Sequence, residues 1–333
     1  MLVACVACDA EFSLPDSIPM PGTGTLLRCP RCGQKNRLFP GGVMVLESLG
    51  SGPQVHAPEA SRLRSEIDED VETAESGLCP VVDGVALGRN PQGFEEWRNK
   101  KDGSVLVLIP GATFTMGSTQ LSDERPPHAV TLLPFGMGKY PVTNAQFRRF
   151  VSASHYDASG NWKGPASRWG EDAPVVAVSW HDARAYCAWA ELRLPTEAEW
   201  ELAARGLEGH EFPWGVEFNA SRCQSSVGLG WGGAKGPVPV DSFPSGASPF
   251  GCLDMAGNAW EWCSSKKSPY PYDFSDGRED PGGEEGRVVR GGSWYIMYMN
   301  YFRGAYRGRR DPDIRNNLLC FRICKTLVPP LAI

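Results

Sequence analysis

Two Cys-x2-Cys pairs, Cys5 with Cys8 and Cys29 with Cys32, stand twenty residues apart near the start of the chain. That spacing lets four thiolates close tetrahedrally on one zinc ion. With all four places taken by sulfur, the metal keeps no position for water, so its role would be structural. A module of about forty residues buries too little apolar surface to fold alone, and zinc ligation would supply roughly 10 to 16 kcal/mol. Read otherwise, the four are unrelated thiols in a reducing compartment.

A second stretch could be core, catalytic pocket or binding surface. The segment "RGGSWYIMYMNYFRGAYRGRR", Arg290 to Arg310, gathers Tyr295, Ile296, Tyr298, Tyr301, Phe302 and Tyr306 around Met297, Met299 and Asn300, and then a run of arginines. It alternates too poorly for a half-buried strand and lacks a 3.6-residue period. Aromatic and arginine side chains are the types that concentrate binding energy at interfaces.

The bulk composition narrows the field. The chain has 333 residues, 41% of them hydrophobic, and a net charge of -6. That charge argues against nucleic-acid binding through the whole surface. The basic second knuckle, with Arg28, Arg31, Lys35 and Arg37, reads as a solvated face, and the ribbon as structural or as a dock for a protein partner. No apolar run reaches the length of a membrane span, and the N-terminus carries no secretory pattern, so the expected location is cytoplasmic. Eleven cysteines, an odd number, do not suit a secreted disulfide framework.

Certain elements must position these groups. Residues 43–93 are polar and acidic, which predicts a flexible linker. Structure is expected to resume near Phe94, with a strand through Val105, Val107 and Ile109 and then a Gly-rich turn. Thr143-x-x-Gln146, Ser179-x-x-Asp182 and Thr196-x-x-Glu199 each predict a helix start with reciprocal capping. Phe147, Phe150 and Val151 would line one face of the first helix, and Ala183, Tyr186, Cys187 and Ala190 one face of the second. The third should end at Gly206, in a left-handed cap. Beyond it, Gly, Pro and Trp dominate, which predicts a loop-rich α+β domain.

The motifs "IPGATFTMGS", "PVVAVSWHDARAYCAWAELRLPTEAEWELAARG", "DMAGNAWEWC", "VVRGGSW" and "CFRIC" resemble those of the formylglycine-generating enzyme, or sulfatase-modifying factor, family. The resemblance runs from about Phe94 to Lys325 and implies a C-type-lectin-like fold over residues 94–327. Before it, residues 1–42 resemble the small zinc ribbons at the N-termini of bacterial regulatory proteins. Active members of the family are copper-dependent oxidases that hold the metal with two cysteines, the second and seventh residues after the aromatic of the G-G-S-W motif. Those positions are Ile296 and Tyr301 here. An alkyl group offers no lone pair and a phenol is a poor ligand for a cuprous ion at neutral pH, so neither copper nor catalysis is expected. Cys320 and Cys324 belong to the closing motif and stand nearby in sequence. Trp260 and Ser293, placed by the resemblance beside the oxygen site, are retained.

A related branch uses three histidines and non-haem iron, whereas His56, His128, His155, His181 and His210 are scattered. The resemblance also implies a calcium site from Asp254, Gly257, Ala259 and Glu261, oxygen donors that suit the ion; the same carboxylates could instead satisfy backbone donors in a buried turn. Finally, R-G-G-S-W, R-x-A-x-R and P-x-x-R-N-N are similar to the variable segments of proteins diversified by diversity-generating retroelements. That likeness implies a binding surface over residues 295–320, including Ile314 and Asn316, for a protein or other macromolecule. Arg303, Arg307 and Arg315 are then read as framework. The alternative is a metal-dependent oxidoreductase of the formylglycine-generating or non-haem iron type.

Overall fold

The computed structural model describes residues 84–230 and 233–327 in full and, within the first 46 residues, the backbone of five short strands. β1 (Leu2–Ala4) pairs antiparallel with β2 (Glu11–Ser13), and β3 (Thr25–Arg28), β4 (Lys35–Phe39) and β5 (Val43–Leu46) form an antiparallel meander. Strand pairing therefore continues beyond residue 42, the expected end of this module. The four zinc-pattern cysteines, His56 and residues 47–83 lie outside the described residues.

The expected linker, 43–93, also ends too late, because β6 (Gly84–Arg89) pairs with β7 (Glu95–Asn99). The reason is physical. β6 is an edge strand with Val85 and Leu87 exposed, so no buried alternating face marks it in the sequence. β8 (Val105–Ile109) falls where the apolar run predicts it and is buried from its second residue on. β9 (Ala112–Met116) and β10 (His128–Leu132) make a separate two-stranded sheet, and β11 (Phe135–Gly138) returns beside β8.

All three capping boxes are present. Thr143, Ser179 and Thr196 start α1 (Asn144–Ser154), α3 (Trp180–Trp189) and α4 (Glu197–Arg205), each accepting from the third backbone N–H while its own N–H donates to Gln146, Asp182 or Glu199. Phe147 of α1 stacks on Tyr186 of α3, and Phe150 meets the same ring edge-on. Gly206 closes α4 at φ 66°, although its ψ of -172° lies outside the left-handed helical well expected for it. The short α2 (Lys163–Trp169) was not anticipated. It has no side-chain cap, and Pro165, in its first turn, is tolerated there because that N–H has no intrahelical partner anyway.

The remaining strands, β12 (Trp260–Lys266), β13 (Arg287–Arg290), β14 (Gly308–Arg310), β15 (Leu319–Phe321) and β16 (Cys324–Thr326), complete two sheets. β16 joins the five-stranded sheet β16-β11-β8-β7-β6, and the other four order as β14-β13-β12-β15, with β12 and β15 parallel. The aromatic segment is thus the excursion between β13 and β15, anchored at both ends in one sheet. Every residue of α4 is buried, glutamates included. Among the described residues no helix is long and apolar enough to cross a membrane.

Candidate recognition site

β13 delivers the chain to Gly291 and Gly292, both at positive φ. A Cβ on Gly292 would lie 2.7 Å from the Phe302 ring, so the turn closes only with glycine there. Trp294 then pins the segment: its backbone N–H donates to Asn258 O at 2.9 Å and its indole to Asn317 O at 3.1 Å.

The arginines that follow are framework. Arg290 is fully buried between Glu197 and Glu201, at 3.2 and 2.5 Å. Arg303 forks onto buried Glu124, with Nη1 donating to Oε2 at 2.9 Å. Arg307 does the same on Glu197 through Nε and Nη2, at 2.6 and 2.7 Å. Arg315 bridges to Asp182, the capping residue of α3, at 2.9 Å. Desolvation pushes the Glu197 carboxyl up, but Arg307 and Arg290 outweigh it and hold it down to about 2. Such planar, two-pronged pairs fix position as well as charge.

Between these anchors the side chains diverge. Tyr295, Tyr298, Asn300 and Ile314 are exposed; Ile296, Tyr301, Tyr306 and Asn316 are half-buried. Tyr298, Tyr301, Tyr306 and Trp260 form one run of rings, with centroids 6.4 Å apart for Tyr298 and Tyr301, 4.7 Å for Tyr301 and Tyr306, and 5.8 Å for Tyr306 and Trp260. Burial, with Tyr301 adjacent, pushes the Tyr306 phenol up to about 12. Tyr295 rests instead on Trp294, at 5.5 Å. Met299, not among the expected contact residues, is 54% exposed on a 3-10 turn; its place between Tyr298 and Asn300 is the available signal.

Two assignments change. Phe302 is no ligand contact: it is fully buried, packing beside Phe218 and against Phe212 and Ala256. Asn316 uses its carboxamide oxygen locally, accepting from Leu318 N at 2.9 Å, which makes it a turn residue.

Ile296 and Tyr301 both pack against the apolar cluster that contains Trp260 and Phe321. Neither fits a copper ligand. Cys320 and Cys324 are wholly buried, and burial pushes both thiols well above their ordinary range, so they present no thiolate. Among the described residues, the buried Ser293 hydroxyl has no hydrogen-bond partner.

Glu261 is not a calcium ligand either, because Arg322 clamps both of its oxygens and the Trp200 indole donates to Oε2 at 2.6 Å. Asp254 is buried at φ 57°, accepts from Asn258 Nδ2 at 2.9 Å, and is raised to about 7 by burial. The Ala259 carbonyl faces the Cys320 thiol at 3.7 Å, and Gly257 donates its N–H to Gly291 O at 2.7 Å. With Glu261 committed to Arg322, the four residues do not make a calcium cage. Among the described residues, no three His, Cys, Asp or Glu side chains converge so as to hold a metal ion.

Comparison with known proteins adds the context. The chain is 35% identical over 251 residues to hercynine oxygenase of Mycolicibacterium smegmatis, covering 62% of this chain and 58% of that one. It is 34% identical over 241 residues to the inactive C-alpha-formylglycine-generating enzyme 2 of Bos taurus, covering 57% and 76%. Among solved structures it resembles PvdO from Pseudomonas aeruginosa, at 26% identity and a TM-score of 0.58, over 70% of this chain and 98% of that one. Variable protein 1 of Treponema denticola shares the fold, at 22% identity and a TM-score of 0.55, covering 68% and 97%. Residues 93–327 match the sulfatase-modifying factor enzyme 1-like domain, and the chain belongs to that family.

Proposed function

We propose that this chain is a non-catalytic binding module on the sulfatase-modifying factor scaffold, recognising a protein or other macromolecule through the surface around Tyr295, Tyr298, Met299 and Ile314. One observation carries the reading: Arg303, Arg307 and Arg315 are locked onto buried carboxylates, while Tyr295, Tyr298, Met299 and Ile314 face outward. A rigid frame with outward anchors loses little entropy when a partner docks. Likeness to an inactive formylglycine-generating enzyme 2 is consistent with a scaffold that outlives its chemistry. The N-terminal module would be a zinc ribbon that docks a protein partner. The register Ala4↔Glu11 and Arg28↔Lys35 supports this, since each Cys-x2-Cys pair then falls between two paired strands.

The oxidase alternative shares the decisive experiment. Purified protein given cuprous ion, oxygen and a cysteine peptide of the sulfatase motif should form no formylglycine above the protein-free background. Turnover would overturn the binding reading. Partners captured by the full chain should be lost on Tyr298→Ala. Truncating an interface anchor costs roughly 2 kcal/mol, about thirtyfold in affinity. Captured partners that bind the Tyr298 variant equally well would remove this surface from the account.

A further inference from the structure

A cavity of about 320 Å³ opens between α3, the chain before α4, and residues 264–281, and none of its lining residues belongs to the 295–316 segment. Its wall is mainly apolar, with Leu192, Leu194, Phe274 and the Trp180 ring, and this volume suits a small molecule. Four charged side chains line it. Two cancel: Arg193 forks onto Glu199 at 2.6 and 2.7 Å.

The other two are Arg184 and Glu279, and among the described residues neither has an oppositely charged group at ion-pair distance. Arg184 is exposed at the rim, lies 4.8 Å over the Trp180 ring, and otherwise reaches only the Pro281 carbonyl at 3.5 Å. Glu279 accepts from three hydroxyls: Ser264 at 2.7 Å, Ser265 and Tyr272. The neighbouring Arg287 spends its guanidinium on backbone carbonyls, among them Ser264 and Asp280. Hydroxyl donors orient a carboxylate without neutralising it. Burial pushes the Glu279 carboxyl above its ordinary range although those hydroxyls pull it down, so an added cation would relieve a standing cost.

We infer that this cavity binds a free α-amino acid with an apolar side chain, its ammonium on Glu279, its carboxylate on Arg184, and its side chain on Leu192, Leu194 and Phe274. An ammonium here gains a charge-assisted bond inside an apolar wall. A carboxylate at Arg184 finds a guanidinium that no acidic side chain occupies. A ligand with only one of the two charges leaves the other group unanswered.

The test is calorimetric titration of the full chain with L-leucine, 4-methylpentanoate, which lacks the ammonium, and 3-methylbutylamine, which lacks the carboxylate. Leucine should bind at least about tenfold more tightly than either analogue, the size of one charge-assisted hydrogen bond. Glu279→Gln should erase leucine's advantage over 4-methylpentanoate, and Arg184→Gln its advantage over the amine. Arg184 is exposed, so its variant keeps the fold and the test stands even if Glu279→Gln does not fold. Tyr298→Ala should leave leucine binding unchanged, which separates this inference from the recognition reading. No leucine binding at millimolar concentration, equal binding of the analogues, or unaltered binding by Arg184→Gln overturns the proposal.

Discussion

The guanidinium of Arg303 grips the carboxylate of Glu124, which lies 179 residues earlier in the chain, and both are buried. This contact ties the recognition segment to the turn before β10. Removing one member of a buried pair costs about 3 to 5 kcal/mol when the other is stranded, and here, among the described residues, Arg303 would keep only Glu211, 3.5 Å from its Nε. Glu124→Gln should therefore shift the denaturant midpoint strongly. Glu171→Gln, which breaks the exposed Arg148–Glu171 pair at 2.6 Å, should cost less than about 1 kcal/mol. Equal losses would mean that the Arg303 pair is not what holds the segment.

Exposure divides neighbouring residues. Tyr298→Ala and Met299→Ala should each change stability by no more than about 0.5 kcal/mol, whereas Phe302→Ala should cost about 3 to 5 kcal/mol. Urea unfolding of the three variants checks this. A Tyr298 variant as unstable as the Phe302 variant would make the surface part of the core.

Acid should weaken the framework through Glu197. Its folded carboxyl is held near 2, below the ordinary 4.5, so its contribution is present above about pH 4.5 and is lost as pH falls toward 2. The shift corresponds to about 3 kcal/mol in all. Glu197→Gln should be less stable than the parent at pH 7, and the gap should narrow by pH 3. A gap that stays constant would mean that Glu197 acts by packing alone.

Metal analysis addresses the N-terminal module. The full chain should carry about one zinc, released by a strong chelator and absent from a Cys29→Ser, Cys32→Ser double variant, while the melting of the C-terminal domain stays unchanged. Full zinc in the double variant would place the metal elsewhere.

Much of this fold was legible locally. The three capping boxes and the Val105–Ile109 strand depend on near neighbours, and each occurs where its residues indicate. The family motifs marked the recognition segment, and reading Arg303, Arg307 and Arg315 as framework agrees with their ion pairs. What stayed hidden depends on distant partners. Glu197 and Glu201 have the composition of a solvated helix face, and it is Arg307 and Arg290, far along the chain, that hold them inside. Phe302 looked like its neighbours Tyr298 and Tyr301, because nothing in the composition tells which ring of an aromatic run the 3-10 turn points inward. Edge strand β6 and uncapped α2 carry no periodic or capping signal at all.

The carboxylates that hold Arg290, Arg303, Arg307 and Arg315 all lie outside the segment those arginines anchor. The loop's shape is consequently dictated by the rest of the domain, not by the identity of its outward residues. Substitutions at 295, 298, 299, 300 and 314 change outward residues and leave untouched the ion pairs that hold this path. A lineage bearing this chain could therefore change what it recognises through single, independent steps, without passing through unfolded intermediates.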